Sequence, residues 1–294
     1  MSQQISIGQI IDKTFHVYQK HFLAYAKHGM WLFVTLPLSI LILEPIVHLF
    51  SDNIFTIAII VAIAMLVNFV VAIIMGNFVS NGFIFATDAF DKEKTVTQAS
   101  LQKSAWSRLG AACGQSVVLF VILALAALLL IPGLGLFMSS SYTETPGVVL
   151  PALGMFLLFA GGVAALVLIV WFAVIFPFAP MKLIVERQGV FASIKGAFAL
   201  VRGRWLATAV RVLIPKIVFG VIVAFVQIVV VFFFYVITAA MVPVSELIGE
   251  TATSIIIFIL QSAAVLAVTA ITTPAFVIAD YYVYRDLIAT RNAS

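Results

Sequence analysis

Residues 177–216 read PFAPMKLIVERQGVFASIKGAFALVRGRWLATAVRVLIPK, and this stretch decides how the chain is built. Seven basic residues fall in it (Lys182, Arg187, Lys195, Arg202, Arg204, Arg211 and Lys216) against one acid, Glu186. It joins two long apolar runs, at about 148–176 and 206–241. A membrane-spanning helix needs about 20 mainly apolar residues. Loops on the cytoplasmic side carry the excess of Lys and Arg. A basic link between two such runs therefore reads as a cytoplasmic loop with a span on each side.

Working outward, the same pattern repeats. Four more apolar runs lie at about 29–50, 54–86, 109–138 and 255–279, giving six spans in all. The links after the first, third and fifth spans hold Asp52, Glu144, Glu246 and Glu250 and no basic residue. All sixteen Lys and Arg fall on the other side: Lys13, Lys20 and Lys27 at the start, Lys92, Lys94, Lys103 and Arg108 in the second-to-third link, the seven above, and Arg285 and Arg291 in the tail. Both termini are thus expected in the cytoplasm. The runs are continuously apolar and do not alternate, which favours helices over a barrel, since every backbone polar group in lipid must be bonded internally. The expected fold is all-α: a polytopic bundle of six transmembrane helices, one membrane domain over 1–294, in the bacterial cytoplasmic membrane. Residues 1–28 carry Asp12, Lys13, Lys20 and Lys27 and no apolar core, so no cleavable signal is expected there.

Composition supports this. Apolar residues make up 64% of the chain and charged residues 10%, against about half and a quarter in soluble domains. Trp31, Trp106, Trp171 and Trp205 fall near cytoplasmic span ends, at headgroup level. Arg211 and Lys216 lie inside the apolar run but near its inner end, from which they can snorkel to the interface.

Within the cytoplasmic segments two amphipathic helices stand out. Ile7, Ile11, Phe15, Tyr18 and Phe22 recur at helical spacing, with Gln9, Lys13, His16 and Lys20 opposite. Val190, Ile194, Phe198, Val201 and Trp205 form a second stripe flanked by Lys195, Arg202 and Arg204. An apolar face edged by basic residues suits a helix lying in the interface plane. The segment 95–108 has Val96, Leu101 and Trp106 but no clean stripe. Ile11, Phe15, Phe22, Leu23 and Ala24 match Ile194, Phe198, Trp205, Leu206 and Ala207 at a constant offset. The chain therefore reads as three parallel units, at about 1–88, 89–182 and 183–294, each a surface helix, a span out and a span back.

No catalytic signature emerges. Cys113 is alone, so neither an intrachain disulfide nor a thiolate metal cluster can form. His16, His21, His28 and His48 lack metal-site spacing, and no Walker A, GxSxG or dinucleotide glycine pattern occurs. No cofactor and no metal is expected. Glu44 and His48, four residues apart, form the only helical acid–base pair at depth, and a local contact is the more ordinary role for it. Gly133, Gly135, Gly161 and Gly162 suit kinks or close helix packing. Prolines at 37, 132, 177, 180, 215, 243 and 274 allow kinks or mark span ends. The intramembrane polar residues are amides: Asn68, Asn77, Asn81, Gln115, Gln227 and Gln261. These serve either as interhelical hydrogen-bonding groups or as the lining of a solvated cavity. The midplane holds no charge of either sign, which a proton- or ion-coupled carrier would need.

IGQIIDKTFHVYQKHF (7–22), FPFAPMKLIVERQGVFASIKGAFALVRGRW (176–205) and TPAFVIADYYVYRDL (273–287) carry a family resemblance. Pro177 and Pro180, Glu186 and Gly189, Arg202, Gly203 and Trp205, and Asp280, Tyr281 and Arg285 are its anchor positions. The chain resembles the six-span membrane domain found fused to glycerophosphodiester phosphodiesterases. The catalytic motifs of those enzymes are not present in this sequence, so the resemblance implies a membrane domain without phosphodiesterase activity.

The residues therefore point to a non-enzymatic membrane protein that binds lipids or serves as an accessory or scaffold subunit of a membrane complex. Lys182, Lys195, Arg202, Arg204, Arg211 and Lys216 would meet anionic headgroups on the cytoplasmic face, and Trp106 and Trp205 would set depth. The basic cluster also has a plainer reading, since orientation alone demands such residues. Membrane lipids and other membrane proteins are the expected partners; nucleic acid is not. The alternative function is a transporter or flippase of a lipid or small amphipathic solute.

Overall fold

A computed structural model describes residues 5–35, 54–141, 149–241 and 249–292. The described residues form eleven α-helices and no strand: α1 (Ile7–Lys20), α2 (Phe22–Gly29), α3 (Ile54–Asp91), α4 (Gln98–Ser107), α5 (Leu109–Leu128), α6 (Ile131–Ser141), α7 (Val149–Ile175), α8 (Phe178–Ile184), α9 (Val190–Val201), α10 (Trp205–Ala240) and α11 (Glu250–Asn292). A short 3-10 turn, Met30–Val34, follows α2. Five segments are long and apolar enough to cross a membrane: Ala58–Asp91, Leu109–Ser139, Val149–Ile184, Trp205–Ala240 and Ile256–Arg291. The chain is thus an all-α, multi-pass membrane bundle. Of the expected span 29–50, residues beyond 35 lie outside the described residues, as do Glu44, His48, Asp52, Glu144 and Glu246.

Hydropathy located the five spans found among the described residues, but not the ends of two of them. The sixth span was expected to stop near 279, yet α11 continues to Asn292, and α3 runs on to Asp91. At about 1.5 Å per residue the 38 residues of α3 extend about 57 Å, nearly twice a hydrocarbon core of about 30 Å. An apolar run marks contact with hydrocarbon, whereas a helix continues for as long as its backbone bonds do. The polar extensions of α3 and α11 instead build a collar.

That collar is where the core sits. Phe78, Val79, Phe83 and Ile84 of α3, Phe178 and Leu183 of α8, Leu200 of α9, Val212 of α10, and Ile278, Tyr281 and Tyr284 of α11 are buried together. The halves of the helices away from the collar differ: Phe225, Phe232 and Tyr235 of α10 are 67%, 68% and 75% exposed. Such surface is stable only against lipid or another apolar face.

The short helices pack around the collar. A capping box starts α1, with Ser6 Oγ accepting from Gln9 N and the Gln9 side chain accepting from Ser6 N. A second starts α4, where Thr97 Oγ1 accepts from Ser100 N and Ser100 Oγ from Thr97 N, each at 3.2 Å. The absence of a clean stripe in 95–108 obscured this helix; its signal is the cap. On α9 the stripe Val190, Ile194, Phe198, Val201 and Trp205 packs against the protein core. Helical periodicity shows that a face seeks an apolar partner, but protein and lipid satisfy it equally. Between α5 and α6 the helix breaks at Leu129–Leu130, just before Pro132. There α6 and α7 pack backbone to backbone, so a Cβ on Gly161 would lie 2.4 Å from the Leu129 carbonyl oxygen.

Candidate functional site

All sixteen basic residues were expected at the cytoplasmic end, and the collar sorts them by the partners they meet. In the first population, five cations meet a carboxylate and a sixth meets the end of a helix. Lys182, 6% exposed, donates to both oxygens of Glu186 at 2.8 and 3.0 Å, one helical turn on. Glu186 also accepts from the Tyr284 hydroxyl of α11 at 2.5 Å and from Gln188 Nε2 at 2.6 Å. Arg211 Nη1 of α10 bonds Asp286 Oδ2 of α11 at 2.8 Å, and Lys216 lies 3.0 Å from Asp280 Oδ2. Lys92 Nζ is 2.6 Å from Asp88, whose other oxygen accepts from Tyr281. Arg285 lies 3.6 Å from Asp91. Arg204 has no carboxylate within ion-pair reach among the described residues, but its guanidinium is spent on the end of α11: Nη1 donates to Thr290 Oγ1 at 2.7 Å and Nη2 to the Leu287 carbonyl at 2.9 Å.

These contacts tie α8, α10 and α11 together across long sequence separations. Partly buried ions need partners or they pay desolvation unopposed. Asp280 was noted only as an anchor of the resemblance, and Asp286, Asp88 and Asp91 were not singled out from the sequence. The available signal was ADYYVYRD at 279–286, where two acids six apart flank aromatic residues on a helix that had been taken to end before them.

The second population makes no ion pair among the described residues: Lys13, Lys20, Lys27, Lys94, Lys103, Arg108, Arg187, Lys195 and Arg202. Lys195 and Arg202 are exposed. On α9 Phe191, 77% exposed, stands one turn before Lys195, and Leu206, 72% exposed, lies just past Arg202. Of the depth-setting tryptophans, Trp106 is 56% exposed with its ring against Phe78, and Trp205 is half-buried against the core.

The amides divide likewise. Asn77 Nδ2 donates to the Ile73 carbonyl and to Ser116 Oγ of α5, both at 2.8 Å, and Ser116 Oγ returns a bond to Asn77 Oδ1. Gln115 Nε2 donates to the Ala179 carbonyl and to Ser193 Oγ, joining α5 to α8 and α9. Asn81 Nδ2 reaches the Ala105 carbonyl at 3.5 Å. These three act as interhelical ties. Asn68 is half-buried on α3, and Gln227 and Gln261 are exposed on the halves of α10 and α11 away from the collar. A groove of about 250 Å³ between α1, α10 and α11 is lined by Phe15, Tyr18, Phe219, Ile271 and Ala275 and by no amide.

Comparison with known proteins finds no match, whether among family models, curated proteins or solved structures.

Proposed function

We propose that this chain is a non-enzymatic, lipid-interacting protein of the bacterial cytoplasmic membrane that acts as an accessory or scaffold element, with six spans in three parallel units and both termini in the cytoplasm. The resemblance to the membrane domain fused to glycerophosphodiester phosphodiesterases belongs to this reading. One observation carries it: from α9 to the start of α10, exposed Lys195 and Arg202 stand between exposed Phe191 and Leu206. An apolar side chain that enters the headgroup boundary beside an unpaired cation combines burial with attraction to anionic lipid, at about 1 kcal/mol per basic residue near the surface. Lys182, Arg211 and Lys216 would contribute less, because their charge is matched by Glu186, Asp286 and Asp280.

The test is lipid retention by native mass spectrometry from nanodiscs of mixed phosphatidylglycerol and phosphatidylcholine. The double substitution Lys195→Gln/Arg202→Gln should lower the retained phosphatidylglycerol relative to phosphatidylcholine. Equal retention in wild type and variant would refute the reading.

A further inference from the structure

A second cationic feature lies away from α9. The turn between α3 and α4, the junction of α4 with α5, and the turn after α8 enclose a cavity of about 630 Å³. Its wall carries Lys92, Lys94, Arg108 and Arg187 with the hydroxyl residues Ser104 and Ser107, and one carboxylate, Asp88. Asp88 is already committed, to Lys92 and to the Tyr281 hydroxyl. Glu93, in the turn after α3, lines a different hollow with Lys20 and His21, and Lys94 borders both. Glu186, beside Arg187, is held by Lys182, Tyr284 and Gln188. Lys94, Arg108 and Arg187 therefore face one cavity with no ion pair among the described residues.

Orientation in the membrane explains basic residues on this side, but it does not explain three unmatched cations converging on one concavity. Like charges brought together raise each other's energy unless an anion joins them. The backbone adds a further cost here: Arg187 has φ of 55°, in the left-handed region that a residue with a Cβ seldom adopts. Arg108 and Ser107 directly precede the first turn of α5, which has no side-chain cap. The amides of that turn add positive potential beside the same wall.

We propose that this cavity is a binding site for a phosphoryl group, recognised by Arg108 and Arg187 through charge-assisted hydrogen bonds and by Lys94 as a point charge. Neutral ligands gain nothing from three cations, and a single carboxylate matches only one of them. A phosphate monoester carries up to two charges and several acceptor oxygens. The group can arrive as a lipid headgroup or as free phosphate. The site is independent of the lipid contact at Lys195 and Arg202, so either can fail alone.

The experiment uses the full chain in phosphatidylcholine nanodiscs and reads the thermal midpoint, since a ligand that binds only the folded state raises it. One arm adds inorganic phosphate against chloride at equal ionic strength. The other replaces a minor fraction of the phosphatidylcholine with phosphatidic acid. A rise in the first arm identifies free phosphate as a sufficient ligand; a rise in the second alone identifies the headgroup. Arg108→Gln/Arg187→Gln should weaken the apparent affinity in the responding arm about tenfold or more. In the inorganic phosphate arm Lys195→Gln/Arg202→Gln should leave that affinity unchanged, and the phosphatidic acid arm is read in a Lys195→Gln/Arg202→Gln background, which removes the other lipid contact. Arg187→Gly, which suits the left-handed backbone, should fold at least as well as wild type yet bind more weakly, separating ligand loss from misfolding. No rise in either arm for wild type, or an undiminished rise in Arg108→Gln/Arg187→Gln, would overturn the proposal.

Discussion

Arg211 Nη1 and Asp286 Oδ2 lie 2.8 Å apart, joining the collar ends of α10 and α11 across 75 residues of chain. The two side chains are only 12% and 11% exposed, and Asp286 Oδ1 also accepts from the Ile5 backbone amide at 3.0 Å. One carboxylate thus pins three segments. Arg211→Ala leaves it partly buried with a single donor and should destabilise the folded protein by about 2 kcal/mol. Arg211→Met/Asp286→Leu, which removes both charges, should recover part of that loss. Thermal unfolding in detergent checks the pair, and equal losses for the single and the double variant would show that the ion pair is not the tie.

Gly82 of α3 faces His28 so closely that a Cβ would lie 1.9 Å from His28 Nε2. His28 is fully buried, edge-on to Phe83 with ring centroids 5.7 Å apart. Gly82→Ala should cost about 1–3 kcal/mol through overpacking. Adding His28→Ala should relieve that clash, so the two changes should combine to less than their sum. Additive losses would contradict the packing described.

The His21 ring lies flat on Phe90, with centroids 3.6 Å apart and planes 6° from parallel. Burial first, and then the charges of Lys20 and His16, push its pKa below the ordinary histidine value. The neutral ring is therefore the form the fold prefers. Above the unfolded-state value of about 6.5 the contact is fully available. As pH falls through that value toward the lower folded one, the unfolded chain takes up a proton that the folded chain resists, and stability declines. His21→Phe keeps the stack and removes the titration. Thermal midpoints compared at neutral and mildly acidic pH should fall less in that variant than in wild type; parallel falls would remove His21 as a source of acid sensitivity.

Much of the bundle was legible because hydropathy reports on the bilayer directly. Five apolar helices appear where such runs stood, and Asn77 and Gln115 tie helices together as intramembrane amides commonly do. Less legible was what each cation does. Lys182, Lys195, Arg204 and Arg211 look alike in a basic segment, and only the continuation of α11 past 279 reveals that Asp286 is available to Arg211. The apolar stripe of α9 was equally ambiguous, since its period fits lipid and protein alike and the fold turned it to the protein. The α4 helix was hidden because its signal is the cap at Thr97 and Ser100, with no stripe to accompany it.

The account rests on every cation facing one compartment. Its most direct test places single cysteines in a Cys113→Ala background, at Lys103, Lys195 and Glu144 in turn, and applies a membrane-impermeant maleimide to right-side-out vesicles. Lys103→Cys and Lys195→Cys should resist labelling until the membrane is opened, while Glu144→Cys should react at once. Labelling of one of the first two but not the other in sealed vesicles would contradict the threading, and with it the shared cytoplasmic face on which both anion contacts depend.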